Sequence, residues 1–245
     1  VATITLPALS RACINGISSE FRPVLARGMN LVAILVLPCA VGLAFLAEPI
    51  VSMVFQHGKF SHNSVVQTAA ALQCYAGGLL FYSWIKIVQP AFYAIDRRWI
   101  PMLISFIAMG LNYVLNWYFV EKLGWGHKSL AITTSVLAAL NFFLLYLFLR
   151  KLAGGLQSSK IFATLWRCLI AAGVMAEVCW IANHYFLNTI SEHSMLMRWL
   201  MGLPVIGAVA ALYFGLCYVL GVREARDCLG MILRRIPGLK KFAPK

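Results

Sequence analysis

Charged residues are scarce in this sequence, and acidic residues are the scarcest. Only 12% of the 245 residues are charged, whereas a soluble domain carries about 25%. Together with 61% hydrophobic residues, this deficit excludes an ordinary soluble domain and predicts a membrane protein. The net charge of +13 could suggest nucleic acid, but the basic residues lie between apolar runs and not along one face. We therefore expect no nucleic-acid partner.

Motifs of enzymes and metal sites are also missing. The seven cysteines include no CxxC pair and no metal-ligand spacing, and most lie in apolar runs, where cysteine acts as a small buried hydrophobe. The sequence contains no HExxH, no nucleotide-binding loop and no nucleophile elbow. We therefore expect no enzyme activity, no metal and no disulfide.

Long apolar runs are what the sequence has in abundance. A bilayer core about 30 Å thick needs about 20 apolar residues of helix, and six runs qualify. They are approximately 29–55, 65–95, 101–120, 129–149, 161–187 and 199–221. The predicted fold class is an all-α polytopic membrane protein with six complete transmembrane helices. The first residues have the pattern of a helix already under way, so we expect a fragment of a longer chain that begins with the end of a truncated helix.

The loops divide the chain into four parts and predict its orientation. Loops on one side of the membrane hold 16 of the 21 Lys and Arg residues, and loops on the other side hold 4. Because cytoplasmic loops carry the excess of Lys and Arg, both ends of the chain are predicted to be cytoplasmic. The four parts are residues 1–28, the end of the truncated helix and a cytoplasmic amphipathic connection; 29–150, four transmembrane helices; 151–221, two additional transmembrane helices; and 222–245, a basic tail. The tail is either a simple positive anchor or a helix lying on anionic lipids.

Lys86 is a cation inside an apolar run, in the stretch FYSWIKIVQPAFYAIDRRWIP. It lies about 13 Å from the predicted helix end, and a lysine near mid-membrane costs ~2.5–3.5 kcal/mol. Such a lysine normally faces protein or a water-filled cavity, although its side chain could also snorkel to the headgroups. Pro90 has no N–H, so it frees the carbonyl of residue 86 and favours a kink there. Pro38 and Pro204 are predicted to kink two further spans.

Other polar residues inside the runs are candidates for a second site. Asn112 and Asn116 are four residues apart and therefore share one helix face, and Thr134 lies in the next run. Hydrogen bonding between helices is the ordinary use of such residues, and a small-cation site built from amide and hydroxyl oxygens is the alternative. Glu177 is a second charge inside a run, for which Lys86 is a conceivable partner.

Three stretches together resemble the lipid II flippase family, MurJ (also called MviN). They are LPALSR at 6–11, LPCAVGLAFLAEPIVSMVFQHGKF at 37–60 and AFYAIDRRWIP at 91–101. The specific motifs cover residues 1 to about 150, and beyond them the resemblance rests on the number and order of helices. It implies the C-terminal part of a two-lobe, fourteen-helix flippase, similar to multidrug, oligosaccharidyl-lipid and polysaccharide exporters. Residues 29–150 would belong to the C-terminal lobe, and the missing N-terminal lobe would be a partner.

The resemblance also implies a substrate and the residues that bind it. Such a protein moves lipid II, an undecaprenyl-pyrophosphate-linked peptidoglycan precursor, across the bacterial inner membrane by alternating access, in support of cell-wall biogenesis and cell shape. Cavity cations that bind the substrate would be Lys86, Arg97 and Arg98. A monovalent cation site would be formed by Asn112, Asn116 and Thr134, although Asn116 stands where a carboxylate would be expected. No cofactor is implied beyond coupling to Na⁺ or protons. The alternatives are a related exporter of lipid-linked oligosaccharides or drugs, and a non-transporting membrane scaffold.

Overall fold

The computed structural model describes residues 20–56, 60–122, 127–187, 195–222 and 224–226, and every regular element in them is helical. Six helices are long and apolar enough to cross a membrane, which confirms the all-α fold with six spans. The predicted end of a truncated helix, the motif at 6–11 and residues 227–245 of the predicted tail lie outside the described residues. The helices are α1 (Phe21–Phe45), α2 (Ala47–Phe55), α3 (His62–Ala94), α4 (Trp99–Glu121), α5 (His127–Leu152), α6 (Ser158–Ala182), continued by a π-helical turn (Asn183–Leu187), and α7 (Met195–Val219).

The first predicted span, 29–55, is wrong in its start and in its continuity. α1 already begins at Phe21, and the chain leaves the helix at Leu46 before the short α2. Pro49 explains the break, because it offers no N–H to the carbonyl of Phe45 and its ring clashes with that carbonyl. The helix restarts with Pro49 in the first turn of α2, where proline is tolerated. The other five spans begin and end within four residues of their predicted positions.

The three prolines that the sequence marked as kinks lie inside helices. Pro38, Pro90 and Pro204 are within α1, α3 and α7, and each of these helices continues through its proline. The kinks themselves stay predictions.

The spanning helices pack in an order that differs from their order in the chain. Neighbours in space are α4, α5, α3, α1, α6 and α7, and α2 contacts both α3 and α7. One apolar core lies mainly between α1, α3 and α5, where the rings of Trp84 and Phe142 are 4.9 Å apart between centroids. Trp84 also donates through Nε1 to the carbonyl of Met29 at 3.0 Å. A second core lies between α1, α6 and α7.

Gly78 allows the closest approach of two backbones, those of α3 and α5. A Cβ at Gly78 would lie 2.9 Å from the Cα of Ser135, which is closer than packed atoms tolerate. Ser135 donates through Oγ to the carbonyl of Cys74 at 2.8 Å across the same contact. Small residues at membrane helix contacts serve this purpose, because they let backbones approach and bond directly.

The three helices that run towards the predicted cytoplasmic side end in the same way. In α3, α5 and α7 the residue after the cap has a positive φ: Asp96 at 54°, Gly154 at 62° and Gly221 at 71°. The next amide donates back to the helix in each case, for example Arg97 to the carbonyl of Phe92 at 2.9 Å. This is the Schellman arrangement, which satisfies carbonyls that a helix end leaves free. It turns the chain sharply enough for short connections.

Candidate functional site

Lys86 lies on a face of α3 that no described helix covers. Its neighbours Ile85, Ile87 and Val88 are buried against the bundle, whereas Lys86 is exposed. Ala94, the last residue of α3, is eight positions away, or about 12 Å along the axis. Within the described part of the chain, the ammonium group has no hydrogen bond and no ion pair. A charge at this depth without a protein partner is available to a ligand or to water.

Pro90 adds a polar backbone atom at the same level. It lies one turn after Lys86 inside α3, and its missing N–H leaves the carbonyl of Lys86 without the usual helical donor. The carbonyl oxygen and the ammonium group of Lys86 therefore form one polar spot in the C-terminal half of α3.

The structure does not bring Arg97 and Arg98 together with Lys86. Both arginines lie in the turn between α3 and α4, beyond the end of α3. Arg98 pairs through Nη2 with Oδ1 of Asp96 at 2.9 Å, and both side chains are largely exposed. Arg97 is also exposed. The three predicted cations thus form a path from the membrane surface to the middle of α3, not a single site.

Two of the three residues of the predicted cation site are in contact. Asn116 donates through Nδ2 to Oδ1 of Asn112 at 2.8 Å, which confirms that the two amides share a face of α4. The hydroxyl of Thr134 instead donates to the carbonyl of Leu130 in its own helix at 2.6 Å. The adjacent Thr133 has a buried Oγ1 without a hydrogen bond, as does Asn116 at Oδ1. Thr133 is therefore a better candidate ligand than Thr134.

The chemistry of these oxygens limits the ion they could hold. Amide and hydroxyl oxygens are neutral, and the described residues contain no group of three His, Cys, Asp or Glu that could hold a metal ion. The two free oxygens fit a weakly held monovalent cation better than a divalent one, because divalent ions prefer carboxylates.

Glu177 does not pair with Lys86. It is exposed on α6, where it lines a shallow groove with Phe45, Ala176 and Trp180. It lies 19 residues after Ser158, about 28 Å from the N-terminal end of its helix on the predicted cytoplasmic side, whereas Lys86 is about 12 Å from that side. The two charges are therefore at different depths.

A polar junction between α1, α6 and the segment after α7 was missed by sequence reasoning. Asn30, only 5% exposed, donates through Nδ2 to Oε1 of Glu224 at 2.7 Å and to Oγ1 of Thr164 at 3.2 Å. Ala225 and Val222 are buried beside it. The only signal in the sequence was an asparagine within an apolar run, and no local pattern pairs it with a residue 194 positions away.

Comparison with known proteins identifies the family. Residues 1–201 of the chain match the family described as "Lipid II flippase MurJ". The chain belongs to the lipid II flippase MurJ family. It is 33% identical over 230 residues to "Lipid II flippase MurJ" of Burkholderia cenocepacia, covering 92% of this chain and 43% of that protein. It is 31% identical over 224 residues to "Probable lipid II flippase MurJ" of Buchnera aphidicola subsp. Acyrthosiphon pisum, covering 91% and 41%.

A solved structure of the family shares the fold. "Lipid II flippase MurJ, inward closed conformation" superposes with a TM-score of 0.64 at 21% identity, over 87% of this chain and 42% of that one. The chain therefore spans less than half the length of the family proteins it matches. Family membership and the six apolar helices make it part of a multi-pass inner-membrane protein.

Proposed function

We propose that this chain is the C-terminal part of a flippase that moves lipid II across the inner membrane by alternating access between two lobes. The observation that carries the proposal is an intramembrane lysine on an uncovered helix face, in a chain of the lipid II flippase MurJ family. A related exporter would share the fold, and a scaffold would have no use for this lysine. The protein performs transport, not a chemical transformation.

Lys86 gives the pyrophosphate of the substrate a counter-charge inside the membrane. A bare anion in hydrocarbon is costly, and a fixed cation in a polar cavity offsets part of that cost. Arg97 and Arg98, at the cytoplasmic end of α3, meet the headgroup first, because they are exposed at the surface. The pyrophosphate then passes from a surface contact to an intramembrane contact along one helix.

The orientation and the partners follow from the distribution of charge. The excess of Lys and Arg in one set of loops supports cytoplasmic positions for both ends of the chain. The same cations attract anionic lipids to that surface. The face of α3 that carries Lys86 turns towards the missing N-terminal lobe, so that the cavity forms only in the whole protein.

Coupling to Na⁺ or to protons is part of the proposal. It is supported by the two buried oxygens of Asn116 and Thr133 that have no hydrogen-bond partner. These two oxygens would bind the ion. The bound ion would place a positive charge between α4 and α5. Ion binding would then favour closer packing of these two helices, and the Na⁺ dependence of transport by the full-length protein tests it.

The test of the function is rescue of growth in cells depleted of their own lipid II flippase. The full-length protein should rescue, Lys86→Arg should keep most of the activity because it keeps the charge, and Lys86→Ala should lose it. Lys160→Ala, which removes an exposed cation in the first turn of α6, is the matched control and should rescue. All variants must be inserted at equal levels. Rescue by Lys86→Ala would show that the lysine only reaches the headgroups, and failure of the unmodified protein would refute the flippase assignment.

A further inference from the structure

α3 is the least apolar of the six spans. The mean hydropathy of its most apolar window is 1.2, whereas the other spans reach 1.5 to 2.2. Most of its polar residues between positions 68 and 94 lie on one face, whereas Gln73 and Ser83 lie on other faces. Six of them share the face of Lys86, and we call this set the α3 stripe: Thr68, Tyr75, Tyr82, Lys86, Gln89 and Tyr93.

The spacing of the α3 stripe makes it continuous. Successive members are seven, seven, four, three and four residues apart, and at 3.6 residues per turn they lie within an arc of about 60°. From Thr68 to Tyr93 the stripe is about 37 Å long, which exceeds the bilayer core of about 30 Å. One face of α3 therefore offers polar groups from one side of the membrane to the other.

The stripe is exposed along most of its length, and Gln89 is half-buried. The tyrosines at positions 75, 82 and 93 are 44%, 39% and 50% exposed. The hydroxyl of Tyr82 has one described partner, the carbonyl of Thr134, at 3.5 Å. The hydroxyls of Tyr75 and Tyr93 have none among the described residues. A lysine is costly against lipid tails, and a face that carries Lys86 together with several hydroxyl and amide groups therefore does not belong there.

We propose that the α3 stripe is the track along which the substrate headgroup crosses the membrane, with its tyrosine hydroxyls as the hydrogen-bond donors on either side of Lys86. The proposal rests on the proposed function and extends it from one lysine to a sequence of contacts. Hydrogen bonds from a phenol to a phosphate oxygen are charge-assisted and short. The phenol ring also offers an apolar surface to sugar rings.

The order of the contacts follows from their depth. Measured along the axis from Ala94, Tyr93 is at the cytoplasmic end, Lys86 at about 12 Å, Tyr82 at about 18 Å and Tyr75 at about 28 Å. A pyrophosphate that leaves Lys86 towards the outer side therefore meets Tyr82 one turn later. Tyr75 is its last aromatic donor before the outer surface.

Replacing a tyrosine with phenylalanine removes the hydroxyl and keeps the ring, so it tests the hydroxyl alone. Tyr75→Phe, Tyr82→Phe and Tyr93→Phe in the full-length protein should each lower the rate of lipid II transport about tenfold, the factor that corresponds to one lost hydrogen bond. Tyr113→Phe on α4, at a tyrosine that is 76% exposed and outside the stripe, is the matched control and should transport at the unmodified rate. Full transport by all three stripe variants would overturn the role of the hydroxyls.

Labelling with a charged, water-soluble thiol reagent tests the track without relying on transport. Single cysteines at positions 75, 82, 93 and 113 would be placed in a full-length protein whose own cysteines are replaced. The three stripe cysteines should react, added lipid II should slow them, and the cysteine at 113 should stay unreactive. Unreactive cysteines at 75 and 82 would show that the stripe packs against protein, which overturns the track. Reactive stripe cysteines that lipid II does not slow, in a protein that fails to rescue growth, would instead refute lipid II as the substrate.

Discussion

Two polar residues, Asn30 and Lys86, lie at a similar depth near the predicted cytoplasmic side of the bundle, and they differ in their partners. Asn30 is buried and bonded to Thr164 and Glu224. Lys86 is exposed and has no partner among the described residues. A polar group that is already bonded holds the fold together, whereas one without a partner is free to bind something else. This difference is why the proposed substrate contact is Lys86 and not Asn30.

Gly78 is a residue at which the backbone of a neighbouring helix leaves no room for a Cβ. Gly78→Ala should lower the free energy of unfolding by about 1–3 kcal/mol, as overpacked cores do, because its Cβ would lie 2.9 Å from the backbone of Ser135. Gly77→Ala is the control, because a Cβ there meets nothing within 4 Å and alanine favours the helix. The thermal unfolding midpoint of the purified full-length protein measures both. Equal midpoints for the two variants would contradict the close contact of α3 and α5.

The elements show where sequence reasoning succeeds and where it fails. The six spans could be predicted, because lipid forces every backbone group to bond within its own helix and so makes each span long and apolar. The break at Leu46 was not predicted, although Pro49 indicates it, because only prolines in mid-span were interpreted as kinks. Those prolines lie in helices that continue, since hydrocarbon offers the backbone no other hydrogen-bond partner. Pro49 lies near the end of its run, where the chain leaves the helix at Leu46 and begins α2 at Ala47.

Arg198, in the first turn of α7, contacts the other end of α2. It is 9% exposed and donates through Nη1 to the carbonyls of Ser52 and Gln56 at 3.3 and 3.1 Å, at the end of α2. A cation at a helix C-terminus satisfies free carbonyls and complements the dipole. No local pattern pairs residues 52 and 198, so this contact could not be predicted from sequence.

Removal of this cap should destabilise the link between α2 and α7. Arg198→Met keeps most of the side-chain volume and should cost about 1–3 kcal/mol of unfolding free energy, because it removes the charged donor to the carbonyls of Ser52 and Gln56. Arg150→Met removes an exposed arginine in the last turn of α5 and should cost less. Thermal unfolding of the full-length variants compares them. A larger loss for the exposed arginine would refute the cap.

The segment after α7 contacts the bundle through the hydrogen bond between Asn30 and Glu224. Exchanging the donor and the acceptor of this bond tests whether it holds the segment in place. Asn30→Asp places a carboxylate against Glu224 and should release the segment, because two like charges at hydrogen-bond distance repel. Asn30→Asp with Glu224→Gln restores one donor and one acceptor and should restore the contact.

The measurement uses a cysteine that replaces Ala225, a fully buried residue. Its rate of reaction with a thiol reagent, added from the predicted cytoplasmic side, reports whether the segment is docked. It should react in the single variant Asn30→Asp and be protected in the unmodified and double variants. A cysteine at the exposed position 226 is the control and should react in all three. Equal reactivity at 225 and 226 in the unmodified protein would show that the segment is not docked.

At the scale of the whole molecule, the sequence predicted the number of helices and the family but not their arrangement. The order α4, α5, α3, α1, α6 and α7 depends on contacts such as Gly78 with Ser135 and Trp84 with Met29. These pairs are far apart in the chain, and apolar composition does not specify them. The arrangement matters for function because it leaves the polar face of α3 uncovered in a chain that spans less than half the length of its relatives.

The central claim is that Lys86 binds the pyrophosphate of lipid II inside the membrane and that transport requires this contact. The most direct measurement is the amount of lipid II on the outer face of cells depleted of their own flippase, determined with an impermeant reagent that modifies only exposed precursor. The full-length protein should restore outer-face lipid II, whereas Lys86→Ala, inserted at the same level, should leave the precursor on the inner face. Equal outer-face lipid II with the two proteins would contradict the claim.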